Sequence, residues 1–176
     1  MFGNWGTDSI VYARSAPPVN VVTGLNPFPL GQLETGATGA ARPNLVSGVP
    51  LWIANPNVAG GQEINRAAFT IPVGAAQGDL GRNALRGFDA AEVDFALRRQ
   101  FKIWERLNLQ ARADLFNIFN HPNFGPPINY LSSPLFGQST QMLGASLGTG
   151  GQTGGLNPLY QIGGPRSAQL SLKMIW

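Results

Sequence analysis

Arg166-Ser167-Ala168-Gln169-Leu170-Ser171-Leu172-Lys173-Met174-Ile175-Trp176 closes the 176-residue sequence, and its period decides the fold class. Ala168, Leu170, Leu172, Met174 and Trp176 are apolar, Ser167, Gln169, Ser171 and Lys173 between them are polar, and only Ile175 departs. Successive side chains of an extended strand point to opposite faces, so this alternation makes a strand with one apolar face. A helix would need apolar residues three and four positions apart.

Two more segments alternate in the same way. Val93, Phe95, Leu97, Phe101 and Ile103 are interleaved with Glu92, Asp94, Arg98, Gln100 and Lys102. Leu107, Leu109, Ala111, Ala113 and Leu115 are interleaved with Asn108, Gln110, Arg112 and Asp114. Trp104-Glu105-Arg106 between them reads as the turn of a hairpin. That pairing sets Arg98 and Asp114 opposite or diagonal on the polar face, where their charges can pair. Arg99 falls on the apolar face, either snorkelling to an interface or marking a bulge. Upstream, Trp5 to Arg14 and Val19-Asn20-Val21-Val22 read as one long strand or as two short ones interrupted at Pro17-Pro18. The expected strands lie near 5–22, 89–103, 107–119 and 166–176. Two long stretches near 23–88 and 120–165, rich in Gly, Pro, Asn and Ser, separate them.

Composition narrows the class further. Charged residues make up 12% of the chain, where a soluble domain carries about 25%. Disorder pairs low hydrophobicity with high net charge, whereas here 43% of residues are apolar and the net charge is +3. There are no cysteines, so disulfides, Cys-based zinc sites and thiol catalysis are excluded together. The basic residues are scattered apart from Arg98, Arg99 and Lys102, so no nucleic-acid partner is expected. No stretch approaches the ~18 apolar residues of a membrane helix.

Strands of about ten residues, alternating apolar and polar and joined by short turns on one side and long loops on the other, are the pattern of outer-membrane barrels. The predicted fold is therefore all-β: an antiparallel transmembrane barrel segment of about four strands with two long loops. The turn at Trp104-Glu105-Arg106 is then periplasmic and both long stretches are extracellular. The apolar face meets outer-membrane lipid, and Glu92, Asp94, Arg98, Arg112 and Asp114 are lumen-facing charges. Phe101, Trp104 and Trp176 gather at the periplasmic end and Phe116, Phe119 and Phe124 toward the other, as two interfacial belts require. The alternative is a soluble β-rich binding or adhesion module, a sandwich whose inner face carries the same apolar residues.

About four crossings cannot close a barrel, since the smallest single-chain ones use about eight strands. Open edges are not tolerated in hydrocarbon. The chain is thus expected to be a fragment, a truncated reading frame or one part of an assembly. Met1-Phe2-Gly3-Asn4-Trp5, which lacks the basic and apolar regions of a signal peptide, fits that expectation.

The runs Gly78-Asp79-Leu80-Gly81-Arg82-Asn83-Ala84-Leu85-Arg86-Gly87-Phe88, Val93-Asp94-Phe95-Ala96-Leu97 and Leu109-Gln110-Ala111-Arg112-Ala113-Asp114-Leu115-Phe116-Asn117-Ile118-Phe119-Asn120-His121-Pro122-Asn123-Phe124-Gly125 form an ordered set. Together with Gly164 to Lys173, they resemble the C-terminal region of TonB-dependent receptor-like proteins, in particular the large Oar-like members that begin with a carboxypeptidase-regulatory-like domain. The resemblance implies a large barrel, a plug occluding its lumen, and energy coupling to TonB through that plug, with ligand uptake or surface display as the role of the full-length form. It also implies that the final strand is read by the barrel-assembly machinery, with Leu170, Leu172, Met174 and Trp176 on the recognised face. Phe is commoner than Trp at the last position of such strands.

Other candidates reduce to structure. His121 is the single histidine and sits in Asn120-His121-Pro122-Asn123, a turn-forming context without a second His or Cys to complete a metal site or triad. Glu92, Asp94 and Asp114 could be drawn as a carboxylate pair for glycoside chemistry. Beside Arg98 and Arg112, they read instead as a solvated, cross-paired wall. Gly148 to Gly155 lacks the Lys-Ser/Thr of a phosphate loop and reads as a mobile loop. In Gly78 to Gly87, which holds Arg82 and Arg86, the glycines read as turn residues before a strand. No catalytic residue, cofactor or metal is expected, and no enzymatic role.

Overall fold

A computed structural model describes residues 3–24, 41–73, 76–146 and 163–176. Among them the chain is mostly strand: β1 (Trp5–Arg14), β2 (Pro18–Val19), β3 (Asn44–Leu45), β4 (Trp52–Ala54), β5 (Gln62–Ile64), β6 (Phe69–Thr70), β7 (Leu85–Arg86), β8 (Ala90–Trp104), β9 (Leu107–Phe116) and β10 (Ser167–Ile175). One short α-helix, α1 (Leu143–Ser146), and two 3-10 turns complete the described elements. None of these helices is long and apolar enough to cross a membrane. The chain divides into two compact units, one of Met1–Ser15, Asp89–Asn123 and Met142–Trp176 and the other of Ala16–Phe88 and Phe124–Gln141.

The first unit is a four-stranded antiparallel sheet in the order β1-β8-β9-β10, which is open rather than closed on itself. Its register follows from the alternation. Leu97 pairs with Thr7 and Ala113, and Ala113 with Leu170; one step away, Arg98 pairs with Gly6 and Arg112, and Arg112 with Ser171. Paired residues share a face, so a slip of one residue would exchange the faces of the whole sheet. The register in place gathers Phe95, Leu97, Phe101, Leu109, Leu115, Leu170, Leu172 and Met174 on one face and Arg98, Gln100, Gln110, Arg112, Asp114, Gln169 and Lys173 on the other.

Glu105 and Arg106 form the two-residue turn between β8 and β9. The expected turn also included Trp104, which instead ends β8 and pairs with Leu107. The register shifts between Lys102 and Trp104, leaving Ile103 as the extra residue of a bulge. Lys102 stays opposite Asn108 on the polar face, but Trp104 comes to share the apolar face with Leu107. The bulge thus converts an even-numbered position into an apolar-facing one. It lies at Ile103 and not at Arg99.

β1 stops at Arg14, and β2 pairs with β7 in the second unit. Of the two readings of the N-terminal segment, two separate strands is the one realised. Proline supplies no N–H and fixes φ, so Pro17-Pro18 interrupts the ladder where the chain changes unit.

The second unit departs from the expected long loops. Its described part has its own core of Val19, Val21, Ile64, Ala68, Phe69, Leu80, Leu85, Leu131 and Phe136, with Phe69 and Phe136 packed edge to face at 5.9 Å between centroids. The pairs β2·β7, β3·β6 and β4·β5 and an isolated parallel bridge from Val22 to Tyr130 hold this core. Arg66 donates to the carbonyls of Leu131 and Ser133 and lies over the Phe136 ring, tying residues about sixty-five positions apart. Gly78 does not sit in a turn conformation. A Cβ there would lie 2.2 Å from the Pro43 carbonyl carbon, so it serves close backbone approach, with its N–H donating to Arg42 O at 2.8 Å. The glycine-rich stretch Gly148 to Gly155 lies outside the described residues.

Gly137 combines close backbone approach with a left-handed backbone. Its φ is +86°, and a Cβ would sit 2.4 Å from the Ile64 carbonyl oxygen and 2.8 Å from its nitrogen, both backbone atoms that cannot rotate aside. Gly137→Ala is expected to cost about 3 kcal/mol, from combined left-handed strain and overpacking. Hydrogen exchange reads it directly. The Ile64 amide, which donates to Gly137 O at 3.1 Å, loses protection, while amides of β9 keep theirs.

Candidate functional site

The two faces of the sheet are the candidate functional surfaces, and each is built by the register. On the polar face, Arg98 of β8 reaches across β1 to Asp8, with 3.4 Å between Nη1 and Oδ2. Its side chain passes over Gly6, its register partner, where a Cβ would stand 2.5 Å from the Arg98 Nε. Arg112 of β9 binds Asp114 through two guanidinium nitrogens, Nε and Nη2, each 2.8 Å from Oδ1, and its Nη1 lies 3.9 Å from the same Asp8 oxygen. Asp8, Arg98, Arg112 and Asp114 thus form one ion-paired group over three strands. The expected Arg98–Asp114 pairing gives way to this arrangement: Asp114 stands opposite Ala96, diagonal to Arg98, and is engaged by Arg112 two positions before it. Asp8 is the member that sequence reasoning missed. β1 alternates poorly, with Thr7 and Ser9 on the apolar side and Ile10 and Tyr12 on the polar side, so no pattern singled it out.

Glu92 and Asp94 lie on the same face as Arg98 but at the end of β8 away from the turn, where they hold loop backbone. The Glu92 carboxylate is buried and accepts from the Gly163 N–H; Asp94 accepts from the Asn117 N–H at 2.9 Å. Next to them Asn117 is a clamp. It has φ +48° and is 2% exposed. Its Nδ2 donates to the carbonyls of His121 and Gly164, both at 2.9 Å, and its Oδ1 accepts from the His121 N–H at 3.0 Å. His121 sits in this loop with its Nδ1 3.2 Å from Asn123 Oδ1, and Asn123 in turn accepts from the Ala91 N–H at 2.9 Å. No group of three or more His, Cys, Asp or Glu among the described residues could hold a metal ion.

The apolar face is bare. Leu170, Leu172 and Met174 are 82%, 74% and 64% exposed, and Trp176, one residue beyond β10, is 90% exposed. In water, burying such side chains would each gain about 1.5–3 kcal/mol, so the face is stable only where something apolar covers it. Its turn end carries an aromatic belt of Phe101 and Trp104, joined by Trp5 of β1, which the sequence pattern did not assign to it. Arg99, the charge on this face, is held in the belt: its Cζ lies 4.8 Å from the Trp5 ring centre and 4.7 Å from that of Phe101. Such contacts contribute about 0.5–2 kcal/mol each. An arginine on a lipid-facing barrel position costs about 2–4 kcal/mol at mid-depth but only ~0–1 near the interface, where an aromatic belt lies. The opposite belt is smaller than expected. Phe116 lies on the polar face opposite Ser167, and Phe124 belongs to the second unit, where it packs on Phe88 at 5.3 Å. Phe119 is exposed in the first unit.

Comparison with known proteins agrees with this geometry. No curated protein and no solved structure matches the chain. A family model described as outer membrane beta barrel domain matches residues 1–149, which include β1, β8 and β9. An open antiparallel sheet with one bare apolar face, one ion-paired polar face and an aromatic belt is the wall such a domain needs, and the chain belongs to the outer membrane β-barrel domain family, as a protein of the outer membrane.

Proposed function

We propose that the chain is the C-terminal wall of a TonB-dependent receptor-like outer-membrane protein whose complete form imports a ligand or displays surface segments. In this reading further strands complete the barrel beside β1 and β10, a plug fills the lumen, and TonB supplies energy through that plug. Leu170, Leu172, Met174 and Trp176 present the face read by the barrel-assembly machinery. The chain itself catalyses no reaction. The observation that carries the reading is the ion-paired polar face, because Asp8, Arg98, Arg112 and Asp114 suit a wetted lumen wall and not a dry sandwich interior. The ordered motifs from Gly78 to Gly125 support it independently.

The experiment is uptake by cells producing the barrel that contains this chain. A panel of fluorescent metal chelates, oligosaccharides and peptides is offered with the proton gradient intact and dissipated. Uptake that collapses with the gradient is the expected result for a TonB-coupled importer. Surface binding indifferent to the gradient would leave display as the role, and the absence of both uptake and surface binding would contradict the proposal.

A further inference from the structure

The apolar face is not uniform. Ala111 and Ala113, small residues in the middle of β9, floor a groove of about 510 Å³. Leu170 and Leu172 of β10 wall one side, and Arg99 with Trp5 the other. Their register explains the shape, since Arg99 pairs with Ala111 and Ala111 with Leu172, while Leu97 pairs with Ala113 and Ala113 with Leu170. A row of large, small, large side chains leaves a channel running along β9.

Arg99 gives this channel a charged end. Its guanidinium lies between the Trp5 and Phe101 rings, which attract the cation through their faces and leave its five N–H donors without oxygen acceptors. Among the described residues Arg99 has no ion pair and no side-chain hydrogen bond. The other face of the same sheet supplies Asp8, Asp94 and Asp114, yet none of them serves Arg99, which points the opposite way. A planar fork of donors matches the oxygens of a phosphate, and the groove beside it matches a hydrocarbon chain.

We propose that this groove is a site for an anionic glycerophospholipid of the leaflet at the turn end of the sheet, with the phosphate on Arg99 and one acyl chain along Ala111 and Ala113. The short-turn end of an outer-membrane barrel is periplasmic, so the lipid belongs to the inner leaflet. The site rests on the outer-membrane placement of the apolar face, and goes beyond it by selecting one lipid class. Charge complementarity chooses the occupant: a neutral chain would fill the groove but leave the guanidinium without an anion.

The test uses the complete barrel that contains this chain, reconstituted in phosphatidylcholine vesicles that contain, at equal mole fraction, either phosphatidylglycerol or phosphatidylcholine brominated on the acyl chains. The quenching lost in Trp5→Phe reports the groove. Brominated phosphatidylglycerol should be enriched there by about five-fold over brominated phosphatidylcholine, the preference one basic residue near an anionic surface confers. Arg99→Gln should abolish the preference and Arg99→Lys retain part of it. Ala111→Phe, which fills the channel, should lower quenching at Trp5 by both lipids. Lys102→Gln removes a charge from the same end of β8 on the opposite face and should leave the preference intact. Equal quenching by the two lipids in the unaltered chain would overturn the lipid site, as would a preference that survives Arg99→Gln or falls equally in Lys102→Gln. Quenching by neither lipid would overturn the lipid contact of the whole face.

Discussion

Asn117→Ala is expected to lower the stability of the sheet unit by about 4 kcal/mol, the sum of buried groups left unpaired and a left-handed backbone forced on alanine. The substitution orphans the carbonyls of His121 and Gly164 and the His121 N–H. These groups sit beside a residue 2% exposed, where water does not replace the lost partners freely. Asn117→Gly separates the two causes. It loses the same three bonds but adopts φ +48° without strain, so it should be less damaging by about 1 kcal/mol. Urea titration of the complete barrel folded in detergent micelles, followed by tryptophan fluorescence, measures both. A loss below about 1 kcal/mol for Asn117→Ala would mean that the clamp does not carry the loop.

Leu170→Lys is the second large effect. Leu170 sits in the middle of β10, paired with Ala113, and is 82% exposed. A lysine on the lipid face of a barrel costs about 2–4 kcal/mol near mid-depth. On a water-facing surface the same change stays within ~0.5 kcal/mol. Gln169→Lys is the matched control, one residue away, on the polar face and opposite Asp114, and should be nearly neutral. Stability of each variant, made in the complete barrel in phosphatidylcholine vesicles, should therefore differ strongly between neighbours. Equal tolerance at both positions would contradict the lipid contact of the apolar face.

The strands that build the sheet were legible wherever alternation was strong. β8, β9 and β10 could be placed because period-two patterning needs only local sequence, and the register keeps the alternating faces as far as Lys102, where the bulge begins. The group around Arg98 was half legible. Arg98, Arg112 and Asp114 announce themselves on alternating strands, but the partner of Arg98 comes from β1, where Ile10 and Tyr12 break the pattern on the polar side. The bulge was detectable only as a conflict. Arg99 is the anomaly in the alternation, whereas the extra residue is Ile103, and what reveals it is the paired register of two strands rather than either strand alone.

The second unit was not legible as a folded body, for a different reason. Its core is assembled from single apolar residues such as Val21, Ile64, Leu80 and Leu131, set among Gly, Pro and Asn with no period to read. Their contacts join positions tens of residues apart, and its strands are two or three residues long, too short to carry a pattern. The Asn117 clamp lies between these extremes. Asn at a strand end hints at a left-handed turn, but which carbonyls it holds depends on Gly164, forty-seven residues later.

The absence of native cysteine makes one measurement especially direct. Single cysteines placed in turn from Ser167 to Met174 in β10 of the complete barrel, each spin-labelled in vesicles, report collision with oxygen dissolved in lipid and with a water-borne nickel chelate. Strict alternation is expected: labels at Ala168, Leu170, Leu172 and Met174 favour oxygen, and those at Ser167, Gln169, Ser171 and Lys173 favour nickel. Uniform access to nickel along the strand, or no alternation, would contradict a barrel wall with lipid on one face and water on the other.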